Sequence, residues 1–240
     1  MENALFIGLS KQIALRNQMD IVANNVANMN TTGYRGQNMM FKEFIEEPRG
    51  QEEDLSYVLD FGQYDNTAPG PHTLTGNPLD VAVTGPGFMG VLKNGEVMYT
   101  RAGNFNIDPA GRLTNPSGMP VAGEGGGEIT IPAGTAEIKF LEDGTVTADG
   151  QPLGKLLLAE FENPQSLRPV GDVLYTTDAE PQGAVNTIVK QGILEGSNVN
   201  SIKEVTNMIS VLRDYQSVQS VVSDEDERQS TAIRELLRTN

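Results

Sequence analysis

Leu15-Arg-Asn-Gln-Met-Asp-Ile-Val-Ala-Asn-Asn-Val-Ala-Asn-Met29 decides how this chain is organised. Leu15, Met19, Val22, Val26 and Met29 are spaced 4, 3, 4 and 3 residues apart, the repeat that keeps an apolar seam turned toward a partner helix. The spacing predicts a helix from about Asn3 to Asn28. Off the seam stand Asn17, Gln18, Asn24, Asn25 and Asn28 among small alanines, instead of the Lys and Glu of a wetted face. Amides and alanines suit close contact with other protein, although an ordinary surface helix with an amide-rich back fits the same pattern.

The far end of the chain has the same character. From Asn198 to about Asn240 there is no Gly or Pro, so a second long helix is expected. Val205, Met208, Leu212, Tyr215 and Val222 fall on one stripe of it. The acidic run Ser223-Asp-Glu-Asp-Glu-Arg228 interrupts that stripe, and Ile233, Leu236 and Leu237 restart it. The run lacks the interleaved spacing and glycine bend of a calcium loop and reads as a solvated turn of helix. Two terminal helices with matching seams most simply pack on each other as a coiled coil.

Between the helices the chain is punctuated. All 13 prolines lie between Pro48 and Pro181, and every glycine except Gly8 lies between Gly33 and Gly196. Short β-favouring runs at Leu79–Thr84, Val91–Lys93, Glu96–Arg101, Glu137–Glu142, Thr145–Ala148, Lys155–Phe161 and Asp172–Thr176 predict an antiparallel β domain. Asn94-Gly95 and Asp143-Gly144 are two-residue hairpin signals inside it. The fold expected is therefore α+β: N- and C-terminal helices paired as a coiled coil around a central antiparallel β domain. Its divisions are a helix over 1–32, an extended linker over 33–75 whose stretch 46–75 is acidic, a β domain over 76–190, and a C-terminal helix over 191–240.

Composition removes most chemistry. The 240 residues carry a formal net charge of −15, contrary to what a phosphate backbone or an anionic membrane face attracts. Cysteine and tryptophan are absent and His72 is the single histidine, so thiolate zinc sites, cysteine nucleophiles and a Ser/His relay lack parts. No run approaches the ~20 apolar residues of a membrane span, and the start does not read as a cleaved signal peptide. Gly85-Pro-Gly-Phe-Met-Gly90 satisfies G-x-G-x-x-G, yet it runs into a hairpin and not into the helix a pyrophosphate needs. It is expected to be a tight β connection. Carboxylates are plentiful, but none sits among aromatics as in a sugar cleft. His72, in Pro69-Gly-Pro-His-Thr73, is expected on a loop. No catalytic, cofactor-binding or metal residue is assigned.

Four blocks, in order, resemble the flagellar rod and hook proteins. They are Ala23-Asn-Asn-Val-Ala-Asn28 with Thr31-Thr-Gly-Tyr-Arg35; Leu79-Asp-Val-Ala-Val83 with Gly85, Gly87 and Phe88; Tyr99-Thr-Arg-Ala-Gly-Asn-Phe105 with Asp108, Gly111 and Leu113; and Gln191-Gly-Ile-Leu-Glu-Gly-Ser-Asn-Val-Asn200 with Met208, Ile209, Arg213 and Tyr215. Within the family the chain is most similar to proximal-rod subunits of the F type. Met89 departs from the pattern, where relatives typically carry a second aromatic after Phe88.

The resemblance implies a structural subunit, not an enzyme. It implies export by the flagellar type III apparatus without signal cleavage, then polymerisation into the basal-body rod within the periplasmic space. Partners would be the chain itself, other proximal and distal rod subunits, and the export apparatus, with no nucleic acid and no membrane insertion. Paired terminal helices would line the inner layer of the tube. Leu15, Met19, Val22, Asn24, Asn25, Val26, Asn28, Ile202, Val205, Met208, Leu212 and Tyr215 are the assembly residues this implies. A distal-rod or hook-type axial subunit is the near alternative. From another class, the rival is a periplasmic ligand-binding β domain on a helical stalk.

Overall fold

The computed structural model describes residues 2–46 and 55–238. They form two compact units, a helical one (2–27, 36–46, 55–66 and 200–238) and a β unit (28–35 and 67–199).

In the helical unit, α1 (Glu2–Ala27) and α2 (Ser201–Arg238) are both free of proline. Asn200 caps α2: its Oδ1 accepts from Lys203 N at 3.0 Å and its carbonyl accepts from Glu204 N at 3.0 Å. Glu204 sits in the first turn, where the helix dipole favours negative charge. The two helices run antiparallel, since a Cβ added at Gly8 would lie 2.7 Å from Val222 Cγ2 while Asn25 Nδ2 lies 3.3 Å from Glu204 Oε2.

The extended linker expected over 33–75 is corrected. Gln37–Glu46 and Leu55–Asp65 pair antiparallel from Gln37↔Asp65 to Glu46↔Leu55 and belong to the helical unit. The register shifts beside Met40, opposite Gly62, leaving Phe61 unpaired as a bulge. The acidic residues obscured the period-2 spacing of Met39, Phe41 and Ile45 in the sequence. Of that acidic run, Glu47, Glu52, Glu53 and Asp54 lie outside the described residues. The C-terminal boundary moves as well: 191–199 belong to the β unit, and the helix begins only at Ser201.

The β unit is built on a six-stranded antiparallel sheet. Its strands, in spatial order, are Arg168–Pro169, Leu174–Thr176, Glu96–Thr100, Phe88–Lys93, Leu158–Glu160 and Gln182–Gly183. A three-stranded sheet (Gln151–Lys155, Thr145–Ala148, Ile138–Phe140) and three two-stranded ladders complete it. Period-2 alternation divides the interior. Met89 and Val91 enter the main core with Val81, Val83, Phe105, Leu113, Val121 and Leu174, while Phe88 faces a separate aromatic cluster of Tyr99, Phe161 and Tyr175. Met89 is thus a fully buried core residue, packed where its flexible side chain reaches within 3.2 Å of a Cβ placed on Gly103.

Asn94-Gly95 makes the expected hairpin, with φ of 54° and 87° and Lys93 opposite Glu96. Asp143-Gly144 does not close a two-residue loop. Gly144 N donates to Leu141 O and Leu141 N to Thr145 O, so the loop spans 141–144 and the left-handed position falls on Gly144 alone. The two-residue turn nearby is Asp149-Gly150, joining Ala148 to Gln151. His72 stands in a short strand, His72–Leu74, opposite Glu195, and not on a loop.

Candidate assembly interface

On α1 the covered face runs through Ala14, Leu15, Ile21, Val22 and Asn25, with Met19 and Val26 half-buried beside it. Asn24 is exposed, and Asn28, in the β unit, accepts from Thr31 Oγ1 at 3.1 Å. On α2 the covered stripe is Met208, Val211, Tyr215, Val218 and Val222, again at spacings of 3, 4, 3 and 4. The stripe expected from sequence is therefore partly out of phase. Met208, Tyr215 and Val222 point inward, whereas Val205 and Leu212 are 44% and 42% exposed and Ile202 is 80% exposed. The reason is an apolar arc of roughly 200°, at about 100° per residue, which is broader than one partner helix covers. Ile202, Val205, Ile209 and Leu212 form its uncovered part. On α1, Phe6, Leu9 and Ile13 are exposed large apolar side chains.

The acidic run does not break α2. Glu225 occupies the next position of the covered stripe and lies 2.7 Å from Arg228 on the same helix, a bond that holds its carboxyl below the usual range. Ile233 and Leu237 are exposed, and the side chain of Leu236 lies outside the described residues.

Asn25, read from sequence as part of the amide-rich back, is instead buried. Its Nδ2 donates to Gln37 O at 2.8 Å and its Oδ1 accepts from Gln37 N at 2.9 Å, so the side chain stands in for a strand neighbour. The bond from Nδ2 to Glu204 adds α2. One amide thereby joins α1, the first strand of the hairpin and α2. A Leu or Ala there would leave the part-buried backbone N–H and C=O of Gln37 without these partners.

Within the β unit, all four of the blocks picked out in sequence converge. Arg101, fully buried, pairs with Glu195 at 2.9 Å between Nη1 and Oε2. Arg101 also donates from Nη1 to Val83 O at 3.4 Å and from Nη2 to Gly85 O. Glu195 Oε1 accepts from Gly70 N at 3.1 Å, and its carbonyl accepts from Gly33 N at 2.8 Å. The guanidinium groups of Arg35 and Arg101 lie 4.8 and 5.2 Å from the centroid of the Phe88 ring. Gly33 has φ +68°, and a Cβ there would meet the Arg101 carbonyl carbon and the Ala102 nitrogen. Arg101 and Glu195 were not singled out from sequence. The only available signal was two opposite charges embedded in otherwise neutral, Gly-rich blocks.

Gly85–Gly90 is the tight connection expected. Gly85 has φ +115° and lies against the Asn186 carbonyl, Gly87 lies against the Thr187 side chain, and a strand rather than a helix follows. No helix opens directly after this loop, so the phosphate reading lacks its donor set. Among the described residues no cluster of acidic, His or Cys side chains could hold a metal ion, and no helix is long and apolar enough to cross a membrane.

Three family models match this chain in order along it. Residues 6–35 match the flagella basal body rod protein family, 82–148 the flagellar hook protein FlgE/F/G D1 domain, and 190–235 the flagellar basal body rod FlgEFG protein C-terminal region. The chain is 37% identical to the flagellar basal-body rod protein FlgF of Caulobacter vibrioides over the whole of both chains. It is 32% identical to FlgF of Salmonella typhimurium, with 97% of each covered. It is also 32% identical to the rod protein FlgG of Agrobacterium fabrum, over 97% of this chain and 99% of that one.

Proposed function

This chain belongs to the flagellar basal-body rod protein family and is a structural subunit of F type, and from that premise we propose where and how it acts. It is exported by the flagellar type III apparatus without signal cleavage and polymerises, with itself and with other rod subunits, into the proximal rod in the periplasmic space. The family is one of structural proteins, not of enzymes. The antiparallel α1–α2 pair acts as a coiled coil in the inner layer of the assembly.

One observation carries this reading: α1 and α2 cover one stripe of each other and leave a second apolar stripe exposed on each. Isolated monomers rarely keep extended apolar stripes wet, and a helical assembly covers them. The experiment is purification of hook–basal bodies from cells carrying an affinity-tagged copy. The tagged chain is expected to remain with the detergent-washed particles. Recovery only as a soluble periplasmic monomer that binds a small ligand saturably would instead favour the ligand-binding alternative.

A further inference from the structure

The β unit is closed by its own far end. Ile188–Gln191 pairs with Val81–Thr84, and Ile193–Glu195 pairs with His72–Leu74. Val189 enters the main core, Thr187 fills the space against Gly87, and Gly85 fits beneath Asn186. Glu195 then satisfies the Gly33 and Gly70 amides and the Arg101 guanidinium at once.

Arg101 makes this closure more than a matter of area. It is fully buried, and its other acceptors are neutral: the carbonyls of Val83 and Gly85 and the face of Phe88. A second cation, Arg35, already occupies the neighbourhood of the same ring. Among the described residues Glu195 is the one carboxylate paired with Arg101. A partial β unit that brought Val83, Gly85, Phe88 and Arg101 together first would hold that guanidinium without its counter-charge, and an unpaired charge opposes any fold that buries it.

We propose that Arg101 is a folding latch: the β unit stays open until residues 186–196 arrive, and Glu195 closes it. A chain delivered from its N terminus would then remain unfolded through most of its passage. That consequence for export rests on the rod reading, whereas the folding dependence does not.

Pulse-labelled hydrogen exchange during refolding of the full-length chain tests it. Amides of Phe88–Lys93 and Glu96–Thr100 are expected to gain protection in the same phase as those of Ile188–Glu195. In Glu195→Gln that phase is expected to slow by about tenfold or more, because the cation is buried without its charge partner. In Arg101→Met with Glu195→Met, which removes both charges, protection over 88–100 is expected to precede protection over 188–195. Protection of 88–100 in an earlier phase of the wild-type chain would overturn the proposal. So would a double variant whose protection remains concerted, since closure would then not depend on the charge.

Discussion

Leu212→Asp and Val22→Asp separate the inner contact of the helical unit from its outer one. Leu212 is 42% exposed on the uncovered stripe, so an aspartate there keeps its water and should change the stability of the chain by no more than about 0.5 kcal/mol. Val22 is 5% exposed on the face α1 buries. A carboxylate there is unpaired and desolvated, at a cost of about 3–5 kcal/mol, a large share of the roughly 5–15 kcal/mol that holds a typical domain together. In the assembled rod the ranking changes. If the stripe through Ile202, Val205, Ile209 and Leu212 meets a neighbouring subunit, the Leu212→Asp carboxylate is buried at every repeat. A penalty of even about 3 kcal/mol per contact weakens each association roughly a hundredfold. Circular dichroism melts of the purified variants, read beside swimming on soft agar, decide the matter. Leu212→Asp should melt like the wild type and fail to support swimming, whereas Val22→Asp should lose helical signal on its own. Normal swimming by Leu212→Asp would refute the assignment of that stripe to the subunit contact.

Asn25→Ala should cost about 1–3 kcal/mol, because it strips both backbone groups of Gln37 of their partner, and faster exchange of the Gln37 amide is the local readout. Gly87→Val should lower the melting temperature by overpacking against Thr187, at about 1–3 kcal/mol, while calorimetry detects no NAD or ATP affinity in either protein. Asp108 and Asp143 are held below the usual Asp value of 3.8, chiefly by the backbone amides of Arg112 and Thr145 respectively. Depressed carboxyl groups stabilise their turns above that value and lose the contribution as pH falls through the lower folded value. The protection factors of the Arg112 and Thr145 amides should therefore fall as pH drops below the usual Asp value, and Asp108→Asn should abolish the effect at Arg112 alone.

The architecture was legible because its signals are periodic and uninterrupted. The 4-3 spacing around Val22 and the glycine-free tail yield two helices, and Asn94-Gly95 yields its hairpin. The phase of α2 was not legible. Val205 and Val211 stand on adjoining parts of one broad apolar arc, and only the position of α1 selects the second. The strand pair of the helical unit was hidden because a dense run of acids in the sequence between its strands outweighed the alternation in Gln37–Glu46. Asn25 and the Arg101–Glu195 pair were hidden for a different reason. Their partners lie 12 and 94 residues away, beyond anything a local pattern encodes.

Deletion of the gene, followed by electron microscopy of isolated basal bodies, tests the central claim most directly. A structural subunit of the proximal rod predicts particles that lack a completed rod, and non-swimming cells restored by the wild-type gene. Full-length rods bearing hooks in the deletion strain would contradict it.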